Sequence, residues 1–184
     1  NCTFSNCKSN NKNGGGIGSR LVPKNKILFS NCYFFDNFCD HNGGAFQYGG
    51  SNNQFLDKIL EFQDCNFTRN KTPKFGGSLS IQTQQNLKIS GCVFLQNKSG
   101  YIDESSLLFE SGKGLGGALY IDPNIQEELS FVPEITIQNN IFIENSGFDA
   151  HAIYITNSKN VNIILEDTNI FTNNVKNIKT PNNP

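Results

Sequence analysis

Six cysteines, two histidines and four Asn-x-Ser/Thr sequons are the residues of this 184-residue chain whose types could do chemistry. The cysteines are Cys2, Cys7, Cys32, Cys39, Cys65 and Cys92. A zinc site built from Cys2, Cys7, Cys39 and His41 would match no common zinc spacing, so neither a metal nor a cofactor is expected. His41 and His151 lack a nearby serine or cysteine arrangement of the triad kind. The carboxylate pairs Asp103-Glu104, Glu127-Glu128 and Glu166-Asp167 are local and read as solvated loop charges. The sequons begin at Asn1, Asn66, Asn70 and Asn97. Each is an N-glycosylation candidate if the chain is secreted.

The elements that must position these residues come from an internal repeat. Cys2-Thr3-Phe4-Ser5-Asn6-Cys7 recurs as Cys32-Tyr33-Phe34-Phe35-Asp36-Asn37, and again from Cys65 to Asn70 and from Cys92 to Asn97. Two further copies, Asn140 to Asn145 and Asn169 to Asn174, put asparagine where the cysteine stood. A Gly-Gly element follows most copies: Gly14-Gly15-Gly16-Ile17, Gly43-Gly44-Ala45-Phe46, Gly76-Gly77-Ser78-Leu79 and Gly116-Gly117-Ala118-Leu119. Ala150-His151-Ala152-Ile153 is a degraded version of it. Apolar pairs such as Ile27/Phe29, Leu60/Phe62, Leu87/Ile89 and Ile135/Ile137 precede each copy after the first. In the last copy the pair, Ile163/Leu165, slips by one residue.

All three elements alternate with period two, the signature of strands. Short strands recurring at a near-constant interval leave too little chain for crossover helices. The expected fold is therefore all-β: a right-handed single-stranded parallel β-helix of about six coils, with three short strands per coil. The repeats occupy residues 1–174 and read as an interior fragment of a longer chain; 175–184 reads as a polar tail or linker. Stacked strands lie about 4.8 Å apart, so equivalent residues form ladders. Phe4, Phe34, Phe67, Phe94, Phe142 and Phe171 should make one aromatic ladder, and Asn37, Asn70, Asn97, Asn145 and Asn174 an amide ladder at a turn. The paired glycines suit a corner needing positive φ or close backbone approach.

The ladder has consequences for the reactive residues. Cys2, Cys32, Cys65 and Cys92 share one repeat position and should form an inward column, either as buried thiols or as one or two axial disulfides. Cys7 and Cys39 fall near the asparagine turn of adjacent copies and form a second candidate pair. Asn70 and Asn97 fall on the amide ladder, whereas Asn66, between inward Cys65 and Phe67, should point outward and is the best acceptor.

The pairing of Gly-Gly-Ala-Leu-like and Phe-x-x-Asn motifs in register resembles the repeats of the chlamydial polymorphic outer membrane proteins, and of related surface proteins of protists. The resemblance runs nearly the whole chain through Asn174, departing at the fifth Gly-Gly and in its long insertions. It implies a pectin-lyase-like β-helix and a place at the cell surface, often adhesive.

The outer side of the Phe strand carries an apolar stripe of Tyr33, Phe35, Val93, Leu95, Ile141, Ile143 and Ile170. Such a stripe needs a cover. The insertions at 98–115 and 122–134, with Leu107-Leu108-Phe109 and Leu129-Ser130-Phe131, are one candidate; a partner interface is the other. The row before the ladder asparagine reads Asp36, Arg69, Gln96, Glu144 and Asn173, with no two carboxylates on adjacent copies. No catalytic residue is expected from it. The formal charge of −1 gives no footprint for nucleic acid. The function expected is a non-enzymatic extracellular or cell-surface scaffold, membrane-anchored or part of a coat, that binds a protein or glycan. Self-association, end to end or lateral, is a further expected contact. Two alternatives stand beside it: an intracellular docking component of a large assembly, and a carbohydrate-active lyase or hydrolase.

Overall fold

The computed structural model describes residues 1–10, 14–19, 26–50, 58–83, 85–100, 114–123, 132–156, 161–174 and 178–179. Among them every regular element is a strand, and every strand pairing is parallel. No helix of the described residues is long and apolar enough to cross a membrane. The architecture is all-β, four parallel sheets of short strands, compatible with a parallel β-helix or solenoid. Most of the insertions proposed as a cover, residues 101–113 and 124–131 with Leu107 to Phe109 and Leu129 to Phe131, lie outside the described residues, as does nearly all of the tail.

One sheet stacks the Phe strands in the order Thr3–Ser5, Tyr33–Phe35, Asn66–Thr68, Val93–Leu95, Ile141–Ile143 and Ile170–Thr172. A second stacks the strands that precede them: Lys26–Ser30, Ile59–Gln63, Asn86–Ser90, Glu134–Gln138 and Asn162–Leu165. The third holds the strands after the Gly-Gly corner: Ile17–Ser19, Phe46–Gly50, Leu79–Thr83, Leu119–Asp122, Ile153–Ile155 and Ile178–Lys179. A fourth sheet adds a strand of two residues just beyond the ladder asparagine: Lys8–Ser9, Phe38–Cys39, Lys71–Thr72 and Lys98–Ser99. Two residues carry no readable period, so this strand left no trace in the alternation.

The registers join equivalent residues of successive repeats, so identical side chains meet. Phe34, Phe67, Phe94 and Phe142 are fully buried, and the rings from Phe4 to Phe171 stack at 4.8–5.0 Å. Phe29 and Phe62 form a shorter parallel stack whose rings meet Phe34, Phe46 and Phe67 edge to face. Each fully buried ring or aliphatic side chain contributes roughly 1.5–3 kcal/mol. The slip of the last repeat is absorbed in its turn: Ile163 and Leu165 pair with Ile135 and Ile137, while Asn169 still stands beside Asn140.

The amide ladder closes the corner after each Phe strand. The residue before each ladder position (Asn6, Asp36, Arg69, Gln96, Glu144 or Asn173) holds φ between 52° and 57°. That left-handed bend stops the strand and is uncommon for non-glycine residues. The next side chain compensates. Asn70 Oδ1 accepts the Asn37 N–H at 3.2 Å, and Asn70 Nδ2 donates to the Phe34 carbonyl at 2.9 Å. Asn97 and Asn145 repeat the pattern one level on, with distances of 2.8–3.0 Å. Backbone groups that the bend removes from the sheet ladder are thus satisfied by side chains, as burial demands.

The corner before the Phe strand works in the same way. Asn31, Asp64, Gly91 and Asn139 take positive φ, and Cys32, Cys65, Cys92 and Asn140 follow them. Asn140 Oδ1 accepts the Cys92 N–H at 2.9 Å while its Nδ2 donates to the Ile89 carbonyl at 3.0 Å. Cys65 does both jobs through one sulfur, taking the Cys32 N–H at 3.5 Å and donating to the Phe29 carbonyl at 3.4 Å. Cysteine and asparagine are therefore isofunctional here. The exchange also runs the other way, because Cys7 stands on the asparagine ladder and its N–H goes to Asn37.

At the third corner the first glycine of each pair needs its backbone freedom: Gly14, Gly43, Gly76 and Gly116 have φ of 66–77°. The second needs its missing side chain. A Cβ on Gly44 would lie 2.1 Å from the Gly77 carbonyl oxygen, and one on Gly77 would lie 2.0 Å from that of Gly117. In the degraded copy Ala150 still accepts the Gly117 N–H, which keeps the register.

Asn70→Ala strands a buried N–H and a buried carbonyl and should cost about 2–6 kcal/mol at roughly 1–3 kcal/mol per orphaned group. Gly77→Ala should cost at least as much, because the clash is with backbone. Equilibrium denaturation in urea measures both; a loss under ~1 kcal/mol for Asn70→Ala would contradict the role given to the ladder.

Candidate functional site

The outer face of the Phe-strand sheet is where the expected stripe residues converge. Register places Tyr33, Asn66, Val93, Ile141 and Ile170 in one column, and Phe35, Thr68, Leu95, Ile143 and Thr172 in the next. Tyr33 and Ile170 are 54% and 56% exposed, and the side chains between them are half-buried. The seven stripe residues thus form two patches on one flat face. Asn66 and Thr68 separate the patches, and the Thr68 hydroxyl donates to Asn66 Oδ1.

This arrangement sorts the sequons. Asn66 is half-exposed, and its oxygen is engaged by Thr68, within its own sequon. Asn1 is exposed. Asn70 and Asn97 are wholly buried and spend their Nδ2 groups on Phe34 and Phe67 carbonyls and on the next ladder oxygen. A glycan needs that nitrogen and a path to solvent, so these two candidates are set aside.

Beside the stripe, the left-handed corner residues throw their side chains outward in a row. Asp36, Arg69, Gln96 and Glu144, with Lys71 and Lys98 from the two-residue strands, line a groove of about 300 Å³. Arg69 clamps Asp36 with two bonds, Nε to Oδ1 at 2.8 Å and Nη2 to Oδ2 at 2.6 Å. Gln96 donates to Glu144 at 2.8 Å. The Arg69 hydrogen bonds, aided by its charge and that of Lys71, hold the Asp36 carboxyl below its ordinary value. Asp36 and Glu144 sit three strand spacings apart, roughly 14 Å at about 4.8 Å each. A glycosidic acid pair works at about 5–9.5 Å. The groove presents charged and amide groups, with its carboxylates already engaged.

The reactive side chains are dispersed. The six cysteines are spread over the corners and strands: Cys32, Cys39, Cys65 and Cys92 are buried, Cys7 is half-buried and Cys2 exposed. Cys7 follows the Phe strand at the amide-ladder position, whereas Cys39 pairs with Ser9 in the short-strand sheet. Cys39 Sγ accepts the His41 N–H at 3.3 Å, and burial raises its pKa. The neighbouring Cys65 and Cys92 thiols influence each other, which draws the first pKa down and pushes the second, also buried, up. His41 Nδ1 meets Lys74 Nζ at 3.0 Å. No three His, Cys, Asp or Glu residues converge as a metal cage among the described residues.

Three features escaped sequence reasoning. Lys71 and Lys98 reach the groove through the two-residue strands, which no periodicity signals. Glu61, 7% exposed, is held between Lys26 and Lys88 on the sheet that precedes the Phe strands. Phe75, Tyr120 and Tyr154 stack at 4.8 and 6.0 Å near the Gly-Gly corner, and burial of Tyr120 pushes its hydroxyl up to about 12. The Glu61 and Lys88 alignment was available from their shared place in the repeat, whereas Lys26 reaches Glu61 from two residues earlier in its strand.

No family model, no curated protein and no solved structure matches this chain.

The Asp36 pKa is depressed, so its contribution to stability is present above the ordinary carboxylate value and is lost as pH falls through the folded one. For a pair this exposed, solvent screening keeps the effect small. Arg69→Ala should return Asp36 to the ordinary range, read by carboxyl carbon NMR during acid titration; an unchanged midpoint would contradict the clamp.

Proposed function

We propose that this chain is a right-handed single-stranded parallel β-helix of about six coils that serves as a non-enzymatic extracellular or cell-surface scaffold, presenting the outer face of its Phe strands to a protein or glycan. Parallel sheets whose neighbours are successive repeats support the coil, and the strong right-handed preference of parallel crossovers supports the hand. The observation that carries the scaffold reading is the flat apolar stripe: Val93, Leu95, Ile141, Ile143 and Ile170 occupy one outer face in unbroken register. An apolar sheet face of this kind is a recognition surface. The half-exposed Asn66 sequon on the same face supports a secreted chain. So does the pairing of Gly-Gly-Ala-Leu and Phe-x-x-Asn motifs that resembles the chlamydial polymorphic outer membrane protein repeats.

A second reading, an intracellular docking component of a larger assembly, is favoured by the buried thiols of Cys32, Cys65 and Cys92, stacked on one column without a disulfide. It keeps the stripe as the contact surface and changes only the compartment. A lyase or hydrolase reading draws no support from the groove, whose carboxylates are widely separated and bonded to Arg69 and Gln96.

Mass spectrometry of the protein from its native source, with enzymatic deglycosylation and thiol alkylation, separates the two compartments. The surface reading predicts glycan at Asn66 and none at Asn70 or Asn97. Bare sequons together with six alkylatable cysteines would overturn it in favour of the intracellular reading.

A further inference from the structure

The inward column that begins each Phe strand contains an unexplained preference. Asparagine at this position makes short bonds: Asn140 and Asn169 accept N–H groups at 2.9 and 3.1 Å and donate to carbonyls at 3.0 and 2.8 Å. Cysteine makes the same pattern with weaker contacts of 3.3–3.6 Å. Yet four consecutive levels, Cys2, Cys32, Cys65 and Cys92, use cysteine, and the last three are buried. Hydrogen bonding alone favours asparagine there, so the sulfurs ask for another explanation.

Spacing supplies one. Neighbouring parallel strands hold equivalent atoms about 4.8 Å apart. A disulfide needs sulfurs about 2.05 Å apart and Cβ atoms at about 3.5–4.5 Å, which parallel side chains on adjacent strands meet poorly. Zinc–thiolate bonds are about 2.3 Å and two-coordinate Cu(I)–thiolate bonds slightly shorter, so two in line span roughly 4.3–4.6 Å, a little under the strand spacing. Soft monovalent ions such as Cu(I) prefer thiolates and accept two in a line. Only two ligands per ion are required, so no converging cage is needed.

We propose that Cys32, Cys65 and Cys92 form a linear Cu(I)-binding column, with one ion bridging each neighbouring pair of sulfurs. Each thiol loses its proton to solvent as Cu(I) joins, and no electron changes hands. Three thiolates and two ions leave one negative charge. The Cys32 and Cys65 N–H groups, which already point at the Cys65 and Cys92 sulfurs, stabilise it. Because the sulfurs are buried in the stacked chain, the ions enter as the repeats stack, which couples binding to folding. This inference is independent of the compartment argued above.

The test refolds the whole protein anaerobically with Cu(I) and challenges it with bathocuproine disulfonate. Cys65→Asn removes the shared ligand of both bridges while keeping the ladder, since asparagine fills the same place at 140 and 169. Cys7→Asn is the control, on the ladder where asparagine is the usual residue. In a Cys2→Ser background, which leaves only the three buried sulfurs in the row, the protein and its Cys7→Asn variant should each retain about two equivalents of Cu(I), and its Cys65→Asn variant should retain none. X-ray absorption of the Cys2→Ser copper form should show two sulfur neighbours per ion in linear geometry. In that background, equal retention with and without Cys65→Asn, no retention by the Cys2→Ser protein, loss in Cys7→Asn, or three-coordinate copper would each overturn the proposal.

Discussion

A side chain from one repeat answering the backbone of the previous repeat is the interaction on which the rest of this structure depends. Each repeat must leave its strands at left-handed corners, and each corner takes a buried N–H and a buried carbonyl out of the sheet pattern. The Asn70 amide, accepting from Asn37 and donating to the Phe34 carbonyl, restores both at once. A buried polar group left without a partner costs more than a typical hydrogen bond contributes. The ladder is therefore less a source of net attraction than a condition on register. A slip of one residue would orphan several such groups in every repeat and also turn each Phe ring outward.

Fixed register then determines the outside. Because inward positions carry Phe34, Phe67, Phe94 and Phe142 in a column, the residues flanking them must also form columns, facing out. The stripe and the row from Asp36 to Glu144 follow from that constraint. The corner residues project because they sit at positive φ, and this is why a row of polar side chains of mixed charge borders an apolar face. One backbone feature thus ends the strand, starts the ladder and builds one side of the groove.

Much of this could be read from the sequence, since a repeat states its own register. Phe-x-x-Asn gave both ladders, and Gly-Gly gave the close approach, which a Cβ on Gly44 would block at 2.1 Å. Cys7 was legible too: it follows Phe4 by three residues, as Asn37 follows Phe34, although it was grouped with Cys39. The two-residue strands holding Lys71 and Lys98 were not legible, because alternation needs more than two residues to show. Nor was the equivalence of thiol and carboxamide, which depends on one donor and one acceptor meeting the same two backbone groups.

Hydrogen exchange of the side-chain amide protons of Asn70 and Asn97, followed by NMR in the intact protein, tests the ladder most directly. Exposed carboxamide protons exchange rapidly, whereas these are buried and bonded to backbone carbonyls and to the next ladder oxygen. They should exchange only with global unfolding, as slowly as the backbone N–H groups of Phe67 and Phe94. Exchange at the rate of an exposed asparagine, while those backbone groups stay protected, would show that the repeats stack without the ladder and would contradict this account.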